Sequence, residues 1–227
     1  KATGDYQLTV KGIRNERLVF GLKGFSGEFR LRIPGRHNAL NAAGAIALAV
    51  SLAKDSGRTL DFTEIGHLRE GLESFSGSRR RSEIVGEAGG VLVIDDYGHH
   101  PTAIKTTLAG LREFYPGRRL VVDFMSHTYS RTAALLDQFA SAFPSADEII
   151  LHKIYASARE KYDGTVSGKT LYELVRKKHK NVQYFEEVMD AREYLAKNLK
   201  EGDLFVTMGA GDNWRIGRAV LEDRRAK

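Results

Sequence analysis

The residues best suited to chemistry lie in one stretch, 91–104, Val-Leu-Val-Ile-Asp-Asp-Tyr-Gly-His-His-Pro-Thr-Ala-Ile. Its apolar start reads as a buried strand, and Pro101 opens a helix at the first position, which proline tolerates. Between them, Asp95, Asp96, Tyr97, His99 and His100 leave the carboxyl end of that strand. In open α/β sheets such ends deliver ligand-binding groups into one crevice. Later strands end in the same manner. Residues 119–124 run into Met125-Ser-His-Thr-Tyr-Ser-Arg131, 148–152 into Lys153-Ile-Tyr-Ala-Ser-Ala-Arg-Glu160, and 203–208 into Gly209-Ala-Gly-Asp212. A single loop of this kind is only a hydrophilic connection. Several on one edge of a parallel sheet argue for a site.

Not every chemistry fits these groups. A metal held by His99, His100, His127 and Asp96 is disfavoured, because adjacent histidines rarely aim at one ion and neither H-x-x-x-H nor cysteine spacing is present. A triad drawn from Ser126 or Ser130, His127 or His99, and Asp95 or Asp96 lacks the G-x-S-x-G elbow. Arg131, at a helix start beside backbone N–H groups, suits a carboxylate or phosphate, with a plain surface arginine as the alternative. Of the adjacent histidines, one is expected to face the crevice while the other packs or caps the helix. Gly164-Thr-Val-Ser-Gly-Lys-Thr170 departs from the phosphate-loop spacing and does not leave a strand directly, so it reads as a loop with Ser167 or Gly168 starting a helix. The turn at Gly209–Asp212 either approaches an anion with its backbone or serves as a tight strand-to-helix connection.

The elements that position these groups fall into two parts. Residues 6–33 alternate as short strands separated by Gly12, Asn15, Gly24 and Gly27, which predicts an antiparallel meander. Asn38 is expected to cap a helix over 39–54, whose Ala42, Ala43, Gly44 and Ala45 predict close backbone packing. Asp61 or Thr63 caps another helix through Leu72. Ser76-Gly-Ser reads as a hinge, dividing the chain into domains 1–77 and 78–227. Beyond it, strands near 82–85, 91–95, 119–124, 148–152, 182–185 and 203–208 alternate with helices near 101–114, 130–143, 169–179, 187–199 and 213–224. That rhythm predicts an α/β fold, Rossmann-like, with a mainly parallel sheet covered by helices on both faces.

Composition narrows the classes. The 227 residues are 42% hydrophobic and 28% charged, with no cysteine. This is globular composition without disulfides, thiolate metal sites or a cysteine nucleophile, and it is compatible with a reducing cytoplasm. The longest apolar stretch, 39–53, contains Asn41 and falls short of the ~20 residues of a membrane span. The polar start Lys1-Ala-Thr-Gly-Asp reads as a cut into an existing domain. The net charge is +6. Its basic residues are dispersed, without the aromatic-interleaved stripe of a nucleic-acid binder, and an anionic small molecule such as a nucleotide accounts for the excess.

Taken together, Pro34-Gly-Arg-His-Asn-Ala-Leu-Asn-Ala-Ala, Arg80-Arg-Ser-Glu, Asp95-Asp-Tyr-Gly-His-His-Pro-Thr, Ser126-His-Thr-Tyr-Ser-Arg-Thr, Ile154-Tyr-Ala and Gly209-Ala-Gly-Asp resemble the Mur ligase family. They occur in family order over nearly the whole chain. The aspartate–histidine block with the downstream His-x-Tyr-Ser-Arg resembles the alanine-adding branch. The resemblance implies that 1–77 is the C-terminal part of the central ATP-binding domain and 78–227 the C-terminal Rossmann-like domain. The phosphate loop, the sugar-nucleotide domain and most magnesium ligands then belong upstream, and the chain alone is expected to be inactive. It further implies a cytoplasmic ligase of peptidoglycan precursor synthesis, acting on UDP-N-acetylmuramate and L-alanine with ATP and magnesium, and with neither a membrane nor nucleic acid as partner. ATP phosphorylates the lactyl carboxylate, the alanine amine attacks the acyl phosphate, and phosphate leaves.

By the same resemblance His37, Asn38 and Asn41 meet adenine, and Arg81 and Asp96 lie near ribose. Tyr97, His99, His127 and Arg131 face the reacting amino acid and substrate, with His99 and Arg131 in the catalytic roles. The chain departs from the family where Met125-Ser-His-Thr-Tyr replaces the usual Gln-Pro-His-Arg-Tyr, so that Thr128 stands in for a cation. It departs again at Ser82, where a bulky residue commonly follows the arginine pair. Two alternatives accompany this reading. One is the family's recycling tripeptide ligase, which shares His-His-Pro-Thr-Ala-Ile and Tyr-Pro-Gly-Arg-Arg-Leu, but whose usual Arg-Ser-Asn is absent here. The other is a stand-alone nucleotide-binding module.

Overall fold

The computed structural model describes residues 4–158, 160 and 164–226. The chain forms two compact units, Lys1–Gly77 and Ser78–Lys227. In the first, β1 (Leu8–Arg14), β2 (Arg17–Leu22) and β3 (Phe29–Leu31) make the expected antiparallel meander. Asn15 and Glu16 both take positive φ, 49° and 54°, the backbone a two-residue hairpin needs to match strand twist. α1 (Arg36–Asp55) packs on β1 and β2, and α2 (Phe62–Ser74) packs on β3. The buried positions of α1 are Ala39, Ala42, Ile46 and Ala53, so small residues do let its backbone sit close. α2 starts at Asp61, whose side chain accepts from Glu64 N in a reciprocal capping box.

The cap expected at Asn38 is not there. α1 begins at Arg36 after Gly35, whose φ of 98° suits glycine, and Asn38 instead donates through Nδ2 to Pro34 O at 2.7 Å from inside the first turn.

The second unit holds a six-stranded sheet in the order β4-β5-β9-β6-β7-β8. Its strands are β4 (Glu83–Ala88), β5 (Val91–Asp96), β6 (Arg119–Met125), β7 (Glu148–Leu151), β8 (Val182–Tyr184) and β9 (Asp203–Gly209). All neighbours are parallel except β4, which pairs antiparallel with β5 at one edge. α3 (Pro101–Phe114), α5 (Leu136–Ala140) and α6 (Gly168–Val175) cover one face, packing Ile104, Leu108, Phe139 and Leu171 on Ile94, Val122, Phe124 and Val206. α7 (Arg192–Asn198) and α8 (Trp214–Arg225) cover the other, packing Leu195, Ile216 and Val220 on Val93, Val121 and Phe205. The fold is therefore α/β and doubly wound, as the alternation predicts.

β9 returns to lie between β5 and β6, and its chain leaves toward the opposite face from theirs. That divergence opens a crevice at the carboxyl ends of these strands. The helix expected over 130–143 is two, α4 (Tyr129–Ala134) and α5, broken at Leu135 with φ −117° and ψ 20°. With the break, Leu135, Leu136 and Phe139 all reach the core. The helix expected over 187–199 opens as a 3-10 turn, Val188–Ala191, before α7. Among the described residues no helix is long and apolar enough to cross a membrane.

Candidate functional site

Four strand ends of the second unit build the crevice. At β5, Asp95 is 4% exposed and accepts from Arg80 Nε at 2.8 Å and from Thr207 Oγ1 at 2.8 Å. Burial pushes its carboxyl above the usual range, against the pull of those two donors. Arg80 also donates to Gly209 O at 2.8 Å, so one guanidinium ties the entry of β4 to the end of β9. Asp96 is equally buried. It accepts from Ser82 N at 2.7 Å, Ser82 Oγ at 3.1 Å and Gly98 N at 2.7 Å. Ser82 is thus no idle departure from the family pattern: at φ 48° it turns both of its donors onto Asp96. A Cβ on Gly98 would lie 2.8 Å from Asp96 Oδ1, so a larger residue there would push Asp96 from its donors.

Beyond this anchored turn the rings form a row. Tyr97 and His99 meet edge-to-face at 5.1 Å, His99 and His127 at 6.3 Å, and His127 and Tyr155 lie 5.8 Å apart. The guanidinium carbons of Arg80 and Arg81 stand 5.0 and 5.8 Å from the Tyr97 ring centroid. His99 Nδ1 is 2.9 Å from Tyr97 O. A carbonyl only accepts, so Nδ1 donates, and in the neutral ring Nε2 is left as an acceptor. His100 is exposed and caps α3, accepting from Thr102 N at 3.3 Å. The division of labour expected of the two histidines is the one observed.

At β6, Thr128 caps α4 by accepting from Arg131 N at 3.4 Å. Arg131 donates through one terminal nitrogen to His127 O at 2.7 Å. The backbone N–H groups that were to welcome an anion already hold one: Glu160 accepts from Tyr129 N at 3.0 Å and Ser130 N at 3.1 Å, and from the Ser130 hydroxyl. The Ser130 hydroxyl and these N–H groups keep Glu160 below the usual carboxylate range. His127 Nδ1 is buried without a hydrogen-bond partner among the described residues. Burial first, then the positive charge of Arg131 and a charged His99, lower its affinity for a proton, with Glu160 opposing them.

The glycines after β9 serve the protein's own packing. A Cβ on Gly209 would lie 2.3 Å from Met125 O, and one on Gly211 2.6 Å from Met125 Sδ. Ser167 caps α6 and Gly168 begins it, as expected, with a Cβ at 168 only 2.3 Å from His152 O. Close helix–strand approach explains this near-miss to a phosphate loop.

The structure therefore brings Tyr97, His99, His127 and Arg131 together, with Arg81 over Tyr97 and Asp96 buried beneath. In the first unit His37, Asn38 and Asn41 share the first two turns of α1, with Asn41 Nδ2 3.2 Å from Asn38 Oδ1. Sequence reading did not single out Tyr155, Glu160 or a buried Asp123–His152 pair, because each reaches its partner across the sheet. Arg159 of the same loop lies outside the described residues. Among the described residues no three His, Cys, Asp or Glu side chains are placed to hold an ion, so no magnesium ligand is assigned here.

A doubly wound sheet whose strand ends gather arginines, histidines and buried carboxylates defines a Rossmann-like α/β unit with a candidate ligand crevice. The chain belongs to the Mur ligase family: the family model described as Mur ligase, glutamate ligase domain, matches residues 80–211. It is 55% identical to the UDP-N-acetylmuramate–L-alanine ligase of Treponema pallidum (strain Nichols) over 97% of its own length and 46% of that protein's. The chain thus spans about half the length of the curated relatives it matches. The crystal structure of the UDP-N-acetylmuramate–alanine ligase of Thermotoga maritima superposes with a TM-score of 0.79 at 27% identity, covering 99% of this chain and 46% of that one. A murein peptide ligase from Psychrobacter arcticus shares the fold, with a TM-score of 0.60 at 23% identity over 97% of this chain and 44% of that one.

Proposed function

We propose that this chain is the C-terminal portion of an ATP-dependent ligase that joins L-alanine to UDP-N-acetylmuramate through an acyl phosphate, in cytoplasmic peptidoglycan precursor synthesis. The observation that carries this reading is the 55% identity, over 97% of the chain, to a protein named for that ligation. Residues 1–77 are the C-terminal part of the central ATP-binding domain, and 78–227 form the C-terminal domain. The apolar side chains left exposed on the helices of the first unit support that assignment.

In the crevice, Arg131 offers a planar fork of N–H groups to the alanine carboxylate. His99, its Nδ1 held by the Tyr97 carbonyl, presents Nε2 to the alanine ammonium and takes the proton that amide formation releases. His127, kept neutral by burial, lies beside it without competing as a cation. The amine nitrogen then forms its bond to the acyl carbon while the carbon–oxygen bond to phosphate breaks. Tyr97 and its arginines wall the site. Arg81 stands near ribose, with Asp96 fixing the turn beneath it. His37, Asn38 and Asn41 meet adenine, a ring and two amides being suited to a purine's face and edges. ATP supplies the phosphoryl group, and magnesium is held mainly by residues upstream of this chain in the longer ligase.

Replacing Arg131 by alanine in the longer ligase tests the reading. The KM for L-alanine should rise by about tenfold to a hundredfold, the loss of one charge-assisted contact. An unchanged KM removes Arg131 from the alanine site.

A further inference from the structure

Beneath the crevice lies a pair of charges that the chemistry above does not use. On the sheet face covered by α7 and α8, Asp123 follows Val121 along β6, and His152 follows Ile150 just past β7. Both side chains are fully buried. His152 Nε2 stands 2.8 Å from Asp123 Oδ2, and Nδ1 stands 3.0 Å from Phe185 O. The Phe185 carbonyl can only accept, so Nδ1 donates to it, and Nε2 faces the Asp123 carboxyl, a geometry that favours the doubly protonated ring. Asn213, directly before α8, completes the group: its Nδ2 lies 2.9 Å from Asp123 Oδ1, 3.0 Å from Asp123 O and 3.1 Å from Met208 O.

Burial alone would discharge this imidazole, but Asp123, the Phe185 carbonyl and the more distant Asp212 outweigh it and hold the ring above its ordinary value. Of the charged groups around it, Asp123 from β6 and Asp212 from the turn after β9 act on the ring. Glu186 and Glu187, which follow β8, act instead on the neighbouring Lys153.

A buried ion pair is a poor way to gain stability, since apolar side chains of the same volume commonly do as well or better. What a pair with fixed hydrogen bonds adds is direction. Here it joins the ends of β6, β7 and the β9–α8 turn, three of the four walls of the crevice. We propose that His152 is a positioning residue: clamped by Asp123 and, through it, by Asn213, it sets where His127, Tyr155 and the Gly209–Asp212 turn stand. The path is short. Tyr155, three residues on, donates from its backbone N–H to Ser126 O at 2.9 Å, and its ring lies against His127. A Cβ at Gly168 would lie 2.3 Å from the His152 carbonyl oxygen, so the start of α6 stands close against this segment.

The inference deepens the ligase reading, yet its first test is independent of it. In the 227-residue chain, D123V/H152L replaces the pair by apolar side chains, whereas D123N keeps the hydrogen bonds around a neutral His152. Imidazole resonances are followed by NMR against pH. Wild-type His152 should titrate above its ordinary value of about 6.5 and His127 below it. In D123V/H152L the chain should stay folded while the His127 midpoint rises toward that value. The emission of the one tryptophan, Trp214, next to Asn213, should shift with it. D123N should leave His127 at the wild-type midpoint.

A wild-type His127 midpoint in folded D123V/H152L overturns the proposal, and so does a wild-type His152 midpoint at or below about 6.5. Should the double variant not fold, Asn213→Ala must move the His127 midpoint in the same direction, and an unmoved midpoint there counts equally against the proposal. In the longer ligase, D123V/H152L should raise the KM for L-alanine about tenfold with kcat nearly unchanged, the mark of lost ground-state positioning. If the wild-type longer protein ligates no alanine, the ligase reading falls while the NMR result still decides the role of His152.

Discussion

The two units meet the demand for a core in different ways. In the second, β5 and β9 bury every residue between two helical layers. In the first, α2 buries no residue completely, and α1 buries chiefly alanines while Leu40, Leu48 and Leu52 remain more than half exposed. Phe62, at the start of α2, is 79% exposed. Isolated exposed apolar side chains are ordinary, but several on two consecutive helices that already bury little are not. The second unit carries its own core. The first presents apolar helix faces suited to further structure, which supports its assignment to a larger domain.

The most direct way to break this contrast is to separate the units. Expressed alone, residues 78–227 should unfold in one cooperative urea transition and residues 1–77 in none; a sigmoidal transition for 1–77 would end the comparison. Next in size, Phe124→Ala should lower the unfolding free energy by about 3–5 kcal/mol in denaturant titrations, because a fully buried ring packed on Phe139 and Phe143 leaves a cavity.

A smaller effect concerns pH, and two histidines of the second unit oppose each other. His152 is raised in the folded state, so the stability it contributes is fully present below about pH 6.5 and is lost as pH climbs through its folded value. His127 is lowered, so its contribution is present above about pH 6.5 and is lost as pH falls through its folded value. Urea midpoints of D123N against pH should lose the alkaline decline and keep the acidic one. Smallest of all, Leu48→Ser should change stability by no more than about 0.5 kcal/mol, since its side chain is already largely in water.

Where an element's signal is local, the sequence disclosed it well. The run Val91–Ile94 into Asp95-Asp96, with Pro101 six residues past Asp95, yields α3 with the boundaries found and β5 one residue longer than the expected 91–95. Ser167 and Asp61 cap as their types suggest. Asn38 misled because Gly35 supplies the positive φ that lets α1 start earlier, a backbone preference that outranks a side-chain cap. The pairing of Asp123 with His152 spans 29 residues and two strands, and Glu160 reaches α4 across 30. Neither leaves a periodic trace, since each partner looks like an ordinary polar residue in its own stretch. The gathering of Tyr97, His99, His127 and Arg131 was legible because a parallel sheet sends every carboxyl end to one edge. Which groups were already engaged there was not.

Glu160 bears on how this crevice would answer a drug-like anion. Any carboxylate aimed at the start of α4 meets a rival tethered to the same chain, whose effective concentration for a short tether is of millimolar order. Weak acidic fragments would lose that competition before their own contacts counted. Among the described residues Arg131 gives one terminal nitrogen to the His127 carbonyl, and a ligand built outward from its guanidinium meets no competitor like Glu160 among them.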